Sequence, residues 1–359
     1  MKIEKAFVVV GACLLFTLAL NVPLATAQGS KMTAYSDLKL PKSLSFASHG
    51  VGSSVYNMSS GIAEAIKMKT GMDVRVLPYP SDMEKVLTLQ SGGADICMWA
   101  ISSAYFAING KDFFKDMGPQ KLRMIWHANG WYLGLLTRGD SNIREMKDLK
   151  GKRVAYYSGS PGFRLAVRSF LSFGNLSYDD VIKVPVSGYA AGLVAVLSVQ
   201  ADAAYGGTGA PKALELATSR HGIHWLPMPA NDKEGWARIL KHADFYKPVM
   251  ADIGAGASPE NPVPIAQASC LITSLPTLPD DIAFAIAKVA AEEHALYVDA
   301  LPTELNKWTL KGATTDLPQT MPYHPGSIKY FKEVGAWSHE AETWQREMLE
   351  KEKQRMAGR

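Results

Sequence analysis

The order strand, Gly/Ser-rich loop, helix, strand, helix, strand is written twice along this chain, and that repetition limits what it can fold into. In the first copy KSLSFAS reads as a strand and SHGVGSSVY as a loop, and Val55, Met58, Ile62 and Ile66 then recur at three- and four-residue steps until Thr70-Gly71 ends a helix. MDVRVLPY alternates as a strand does, DMEKVLTLQSGG is a helix with Asp82 near its start, and ADICMWAIS is a further apolar strand. The second copy runs through DLKGKRVAYYSGSPGFRLAVRSFLSFG, VIKVPVS, GYAAGLVAVLSVQ and ADAAYGGTGAP, with Phe163, Ala166, Val167, Phe170 and Leu171 on one helical face. The turns in LTLQSGGADICMW and LSVQADAAYGG both run from Gln to Ala-Asp, which puts Asp95 and Asp202 in equivalent places. Parallel strands need a crossover helix, so strands alternating with helices of this length make βαβ units. Two α/β lobes are predicted, each a mainly parallel sheet flanked by helices.

Two apolar stretches are long enough to cross between such lobes. KLRMIWHANGWYLGLLTR spans 121–138, and VMADIGAGASPENPVPIAQASCLITS spans 249–274, a Gly/Pro-rich loop followed by a strand. They divide the chain into a first part of lobe I over 28–135, lobe II over 136–250 and the rest of lobe I over 251–337, with a charged helical tail over 338–359. Lobes joined by two hinge crossings leave a cleft between them, and open α/β sheets bind ligands outside the carboxyl ends of their strands.

The N-terminus has the form of a secretory signal. Lys2 and Lys5 precede the uncharged run AFVVVGACLLFTLAL, and Ala25 and Ala27 stand at the −3 and −1 places of a cleavage site. Residues 1–27 are read as a signal peptide cleaved after Ala27, and the mature chain as periplasmic. A permanent anchor needs about 20 apolar residues, and a lipoprotein reading of Cys13 is opposed by the apolar run continuing beyond it. Cys97 and Cys270 sit inside apolar runs and are expected to be buried and free. The net charge of +4 is spread without a basic block, so nucleic acid is not a predicted partner.

Enzyme signatures are absent: there is no G-x-S-x-G, H-E-x-x-H, C-x-x-C or phosphate-binding G-x-x-x-x-G-K-[ST], and no metal-ligand spacing. What remains is four loops at predicted strand ends, SHGVGSSVY, AISSAY, YSGSPGFR and YGGTGAP. A helix that follows such a loop offers free backbone N–H groups and the positive end of its dipole to a carboxylate or phosphate. Serine is also an ordinary N-cap and glycine an ordinary turn residue, so it is the set of four, and no single loop, that points to a binding cleft. Of the many nearby aromatics, Tyr56 and Phe163 stand on the loops themselves, and Arg164 is a cation placed to pair a carboxylate or to lie in solvent. His49 reads as a polar loop residue or ligand contact.

In order along 43–337, these segments resemble the extracytoplasmic solute receptors of the TAXI class, which serve TRAP-type transporters. ASHGVGSSVYNMSSGIAEAI is similar to that family's Gly/Thr-rich segment, SGGADICMWAISSAY to its S-G-x-A-D strand, DLKGKRVAYYSGSPG to its D-L-K-G-K-R-V segment, AYGGTGAP to its A-G-x-P turn, and YHPGSIKYFKEVG to its H-P-G ending. The resemblance implies a two-lobed periplasmic-binding-protein-like fold of type II. It implies a receptor that captures a small organic carboxylate and delivers it to a TRAP membrane permease without catalysis; no metal or cofactor is expected, and nothing in the sequence requires more than a monomer. It carries ligand contacts onto Gly50, Gly52, Ser53, Ser54, Tyr56, Ser102, Ser103, Ser160 and Thr208. His49 and Ser53 stand where the family usually has glycine, and P-G-F-R-L replaces its frequent P-G-S-G-T. Phe163 and Arg164 are therefore expected to reshape that half of the pocket, which puts glutamate or 2-oxoglutarate in doubt and leaves room for a differently shaped carboxylate, an aromatic one among the candidates. The alternatives are a ligand sensor of the same fold docking to a membrane signalling partner and, further off, a secreted enzyme.

Overall fold

The computed structural model describes residues 32–358 apart from Gly52, Pro80, Ser81, Gly159, Asp316 and Gln319, and apart from the side chains of Asn129 and Glu304. The secretion signal read in residues 1–27 lies outside the described residues, as does Gly52 of the first loop.

The first half of the repeat folds as Ser43–His49 (β1), Ser54–Thr70 (α1), Asp73–Tyr79 (β2), Asp82–Gln90 (α2), Ile96–Ala100 (β3) and Ile101–Asn109 (α3). Arg123–Arg138 (β4) then leads to the second half: Arg153–Tyr157 (β5), Pro161–Phe173 (α4), Ile182–Val186 (β6), Tyr189–Leu197 (α5), Ala203–Gly207 (β7) and Pro211–Thr218 (α6). Ile223–Trp225 (β8), Lys233–His242 (α7) and Lys247–Ala251 (β9) follow, and Val263–Ser274 (β10) runs back. Asp280–Glu292 (α8), Pro302–Leu305 (α9), Leu310–Thr315 (α10), Pro325–Glu333 (α11) and His339–Ala357 (α12) complete the chain.

Within each half the pairings are parallel, β1 with β2 and β3, and β5 with β6 and β7. The long strands reverse the direction: β10 is antiparallel to β3, β4 and β9, and β4 is antiparallel to β7 and β8. The order β2-β1-β3-β10-β4-β7-β5-β6 thus joins two parallel sheets through an antiparallel pair of crossing strands, the two-lobed α/β fold that the repeated pattern predicts. At about 3.3 Å per residue, a strand of β4's length is long enough to belong to both sheets. It pairs β10 over Arg123–Leu133 and β7 over Leu133–Thr137. The β4–β10 register shifts between Ala268 and Ser269, opposite Trp131 and Asn129, where a bulge bends the crossing.

The equivalence of Asp95 and Asp202 is visible in their bonds. Asp95 Oδ2 accepts the Ser45 amide at 2.7 Å while the Asp95 amide donates to the Ser45 carbonyl at 2.9 Å. Asp202 does the same with Arg153, at 2.8 and 2.7 Å. Each aspartate fastens the third strand of its half to the first strand, at the end remote from the Gly/Ser loops. Cys97 and Cys270 are buried, and their thiols point at the carbonyls of Met98 and Trp99. The charged C-terminal segment is helix α12, which is docked onto the fold. Its Glu352 takes Arg123 of β4 in a two-pronged pair at 2.6 and 3.1 Å, and the Gln345 amide both accepts from and donates to the Tyr323 backbone.

Candidate functional site

Four helix N-termini meet at one place. Helix α1 opens at the N-cap Ser53, whose hydroxyl accepts the Tyr56 amide at 3.1 Å. Helix α4 opens at Ser160 with Pro161 in its first turn, α3 follows Ala100 directly out of β3, and α5 follows Gly188. Residues from all four starts line a single cavity of about 320 Å³ between the lobes. The first N–H groups of a helix have no acceptor within it and carry the positive end of its dipole, so this end of the cavity favours negative charge. The lining contains no arginine or lysine among the described residues. An anion here is met by backbone and neutral donors.

The remaining wall is aromatic, formed by Phe106, Phe113, Trp131, Phe163, Tyr189 and Tyr205. Phe163 joins lobe II's cluster with ring centroids 5.4 Å from Tyr157, 5.5 Å from Tyr189 and 5.6 Å from Tyr205. The Tyr189 hydroxyl accepts the Gly207 amide at 2.7 Å, which holds its ring against β7. At Gly162 the lobes approach closely: a Cβ there would lie 3.4 Å from the Ser103 hydroxyl and 3.5 Å from that of Ser102, both on the other lobe. The lobes are closed on each other at this contact.

At the lobe I end lies a buried polar cluster. Lys85 of α2 is fully buried, with Nζ 2.8 Å from Asp82 Oδ1, 3.2 Å from His49 Nε2 and 3.5 Å from the Met98 carbonyl. The same ammonium lies 5.6 Å from the Trp99 ring centroid. The Lys85–Asp82 contact is an ion pair by distance, but its angle leaves Asp82 Oδ1 without a well-directed donor. Burial alone would raise the Asp82 carboxyl; Lys85, then His49, and a hydrogen bond from Ser103 outweigh it and hold the group down at about 2. Burial, followed by the Lys85 charge, lowers His49 to about 4 against the opposing pull of Asp82. Burial pushes the Cys97 thiol up to about 12. His49 is therefore a neutral imidazole near pH 7, and both it and Asp82 face the cavity.

Of the residues singled out in the sequence, His49, Gly50, Ser53, Ser54, Ser103, Ser160 and Phe163 lie on the cavity wall. Tyr56, Ser102, Arg164 and Thr208 are not in its lining. Ser102 is buried behind Gly162. Thr208 is buried at the end of β7, where its amide donates to the Tyr132 carbonyl and its carbonyl accepts from Ala255. Arg164 donates to the carbonyls of Tyr157 and Ser158 at 3.1 and 2.5 Å, closing the loop before α4. Asp82 and Lys85 were not among the residues singled out, because they sit on the inward side of a helix that reads simply as amphipathic. Trp131 and Tyr205 read as core aromatics, and nothing in their local pattern marks them as cavity wall. Among the described residues no group of three or more His, Cys, Asp or Glu is placed to hold a metal ion, and no helix is long and apolar enough to cross a membrane.

The chain matches the NMT1-like family over residues 46–335. Among solved structures it is similar to the alkanesulfonate-binding protein SsuA of Xanthomonas axonopodis pv. citri (16% identity, covering 84% of this chain and 96% of that one, TM-score 0.45). It is also similar to the aliphatic sulphonate binding protein SsuA of Escherichia coli (15%, covering 74% and 77%, TM-score 0.44) and to the periplasmic VFT2 domain of Bordetella pertussis BvgS (13%, covering 74% and 93%, TM-score 0.42). Likeness this remote carries no information on ligand, partner or site.

Proposed function

The chain belongs to the NMT1-like family, and on that premise we propose that it is an extracytoplasmic solute-binding protein for a small organic carboxylate with an aromatic body. The observation that carries this reading is the pairing of two features in one cavity: four helix N-termini and an aromatic wall. The N-termini supply donors for a carboxylate. Rings of Phe163, Tyr189, Tyr205 and Trp131 supply a face that a small dicarboxylate would leave unfilled. Among the described residues no arginine or lysine in the lining pairs with the acid, which keeps affinity tied to geometry and allows release. The resemblance to TAXI receptors adds the finer proposal that the loaded receptor hands its solute to a TRAP-type permease.

The test is a thermal-shift panel with phenylacetate, benzoate and indoleacetate set against glutamate, 2-oxoglutarate and the uncharged phenylethanol. The reading expects a saturable rise in melting temperature with an aromatic acid and none with phenylethanol. Equal stabilisation by phenylethanol, or stabilisation by 2-oxoglutarate alone, would sink it. Uptake of the best acid in cells expressing a TRAP permease with and without this receptor tests the delivery step.

A further inference from the structure

Lys85 has three hydrogens to donate and nothing with which to accept. Its ammonium lies 3.2 Å from Nε2 of His49. That nitrogen must therefore present its lone pair, which leaves the hydrogen of the neutral ring on Nδ1. The other tautomer would aim an N–H at an ammonium. Its nearest carboxylate oxygen, Asp82 Oδ1, is 3.7 Å from Nε2, too far for a hydrogen bond, and already lies 2.8 Å from Lys85. Around this ring stand Asp82 and Lys85 of α2 and, packed beside them, Ser103 of α3 and the protonated thiol of Cys97 on β3. None of them offers Nε2 a better-placed acceptor.

We propose that Lys85 is a positioning residue that locks His49 in the Nδ1–H form, so that the cavity wall carries one fixed donor for an acceptor oxygen of the solute. Asp82 Oδ1, 2.8 Å from Nζ, supplies the buried side chain with a counter-charge. The charge of Lys85 thus reaches the cavity through the His49 ring, although Lys85 itself is absent from the lining. An acceptor at His49 is favoured, and a second donor there is rejected. The solute clause rests on the receptor reading; the tautomer does not.

Long-range proton–nitrogen correlation on ¹⁵N-histidine-labelled full chain, with no solute present, tests the lock. His49 is identified as the signal missing from His49→Asn. A single Nδ1–H tautomer is expected near neutral pH. In Asp82→Asn/Lys85→Met, which removes the paired charges together, the Nε2–H form is expected to become a major population. A wild-type His49 that is mainly Nε2–H overturns the proposal, as does an unchanged tautomer in the folded double variant. Should the double variant not fold, the wild-type spectrum still decides. Titration with phenylacetate supplies the second arm. Asparagine can place an amide nitrogen near the Nδ1 position, so His49→Leu is expected to weaken binding about tenfold while His49→Asn weakens it several-fold less. Equal losses overturn the donor role. A wild type that shows the expected tautomer but binds no acid counts against the receptor reading alone.

Discussion

Arg164 and Asp112 meet across the cleft, with Nη2 of the guanidinium 3.4 Å from Oδ2 of the carboxylate. Arg164 belongs to the first turn of α4 in lobe II, and Asp112 opens the one-turn helix Asp112–Phe114 beside α3 in lobe I. The pair joins the two sides of the cleft. Asp112 also holds a left-handed backbone, with φ at +52°, which fixes the approach of Phe113 to the cavity. A partly exposed ion pair contributes about 0.2–1 kcal/mol. Asp112→Asn is accordingly expected to weaken solute binding about 1.5- to fivefold, with the loss shrinking at high salt. Arg164→Ala should cost more, because it also releases the Tyr157 and Ser158 carbonyls. Calorimetric titrations of both variants at two salt concentrations check this. An Asp112→Asn affinity equal to wild type at low salt would remove the latch.

If the cavity takes an aromatic acid as proposed, Phe163 is the residue that should set its shape. Replacing it with serine removes a ring packed on Tyr157, Tyr189 and Tyr205 and opens that wall. A ring contact of this kind is worth about 0.5–1.5 kcal/mol beyond its burial. Phe163→Ser is expected to lower affinity for an aromatic acid by about tenfold or more and to improve the relative standing of 2-oxoglutarate. A competition assay between the two acids reads the change directly; an unaltered preference would show that the ring is packing alone.

Gly254 ties the β9–β10 connection to the end of β7. Its φ of +103° suits glycine, and a Cβ would collide with the Thr208 carbonyl, which accepts the Ala255 amide at 2.7 Å. Gly254→Ala should therefore cost about 2–4 kcal/mol of stability, seen as a drop in urea midpoint. Gly71→Ala, also at positive φ but in open space, should cost only about 1 kcal/mol. Similar losses at both sites would argue against the collision.

The His49 cluster gives stability a defined pH dependence. With His49 held at about 4 in the fold and near 6.5 when unfolded, the unfolded chain takes up a proton that the native one refuses between those values. Its contribution is complete above about pH 6.5 and is lost as pH falls toward 4. Asp82, held at about 2, adds a further loss only below its ordinary range, from about 3.8 downward. His49 alone should account for about 2–3 kcal/mol across its window. His242 and His324, which burial also lowers, act alike in both proteins. Urea midpoints of wild type and His49→Asn should therefore converge as the pH is lowered from 7 to 4. Parallel curves would show that His49 titrates normally.

The two α/β halves, the order of their strands and helices, the equivalence of Asp95 and Asp202 and the placing of Ser/Gly loops at helix starts were legible in the chain itself. All of these depend on neighbours within a few residues or on a pattern that repeats, and backbone hydrogen bonding imposes those periods wherever the segment ends up. The antiparallel crossing of β4 and β10 was legible only as two long apolar runs, since pairing direction is set by the return path of the chain.

What tertiary structure alone decided is which loop side chains face the cavity. Arg164 and Phe163 are adjacent in sequence, yet one closes its own loop while the other lines the cavity. His49, Asp82 and Lys85 come from a strand end and a later helix, and they act together only because β1 and β3 pack beneath α2. Their distances, like the closeness of Gly162 to Ser103, depend on rigid elements far apart in sequence being brought within a few ångströms. Local pattern extends over one or two turns of helix and determines the elements. Charge, tautomer and fit fall off within a few ångströms in space, and only the closed fold sets those distances.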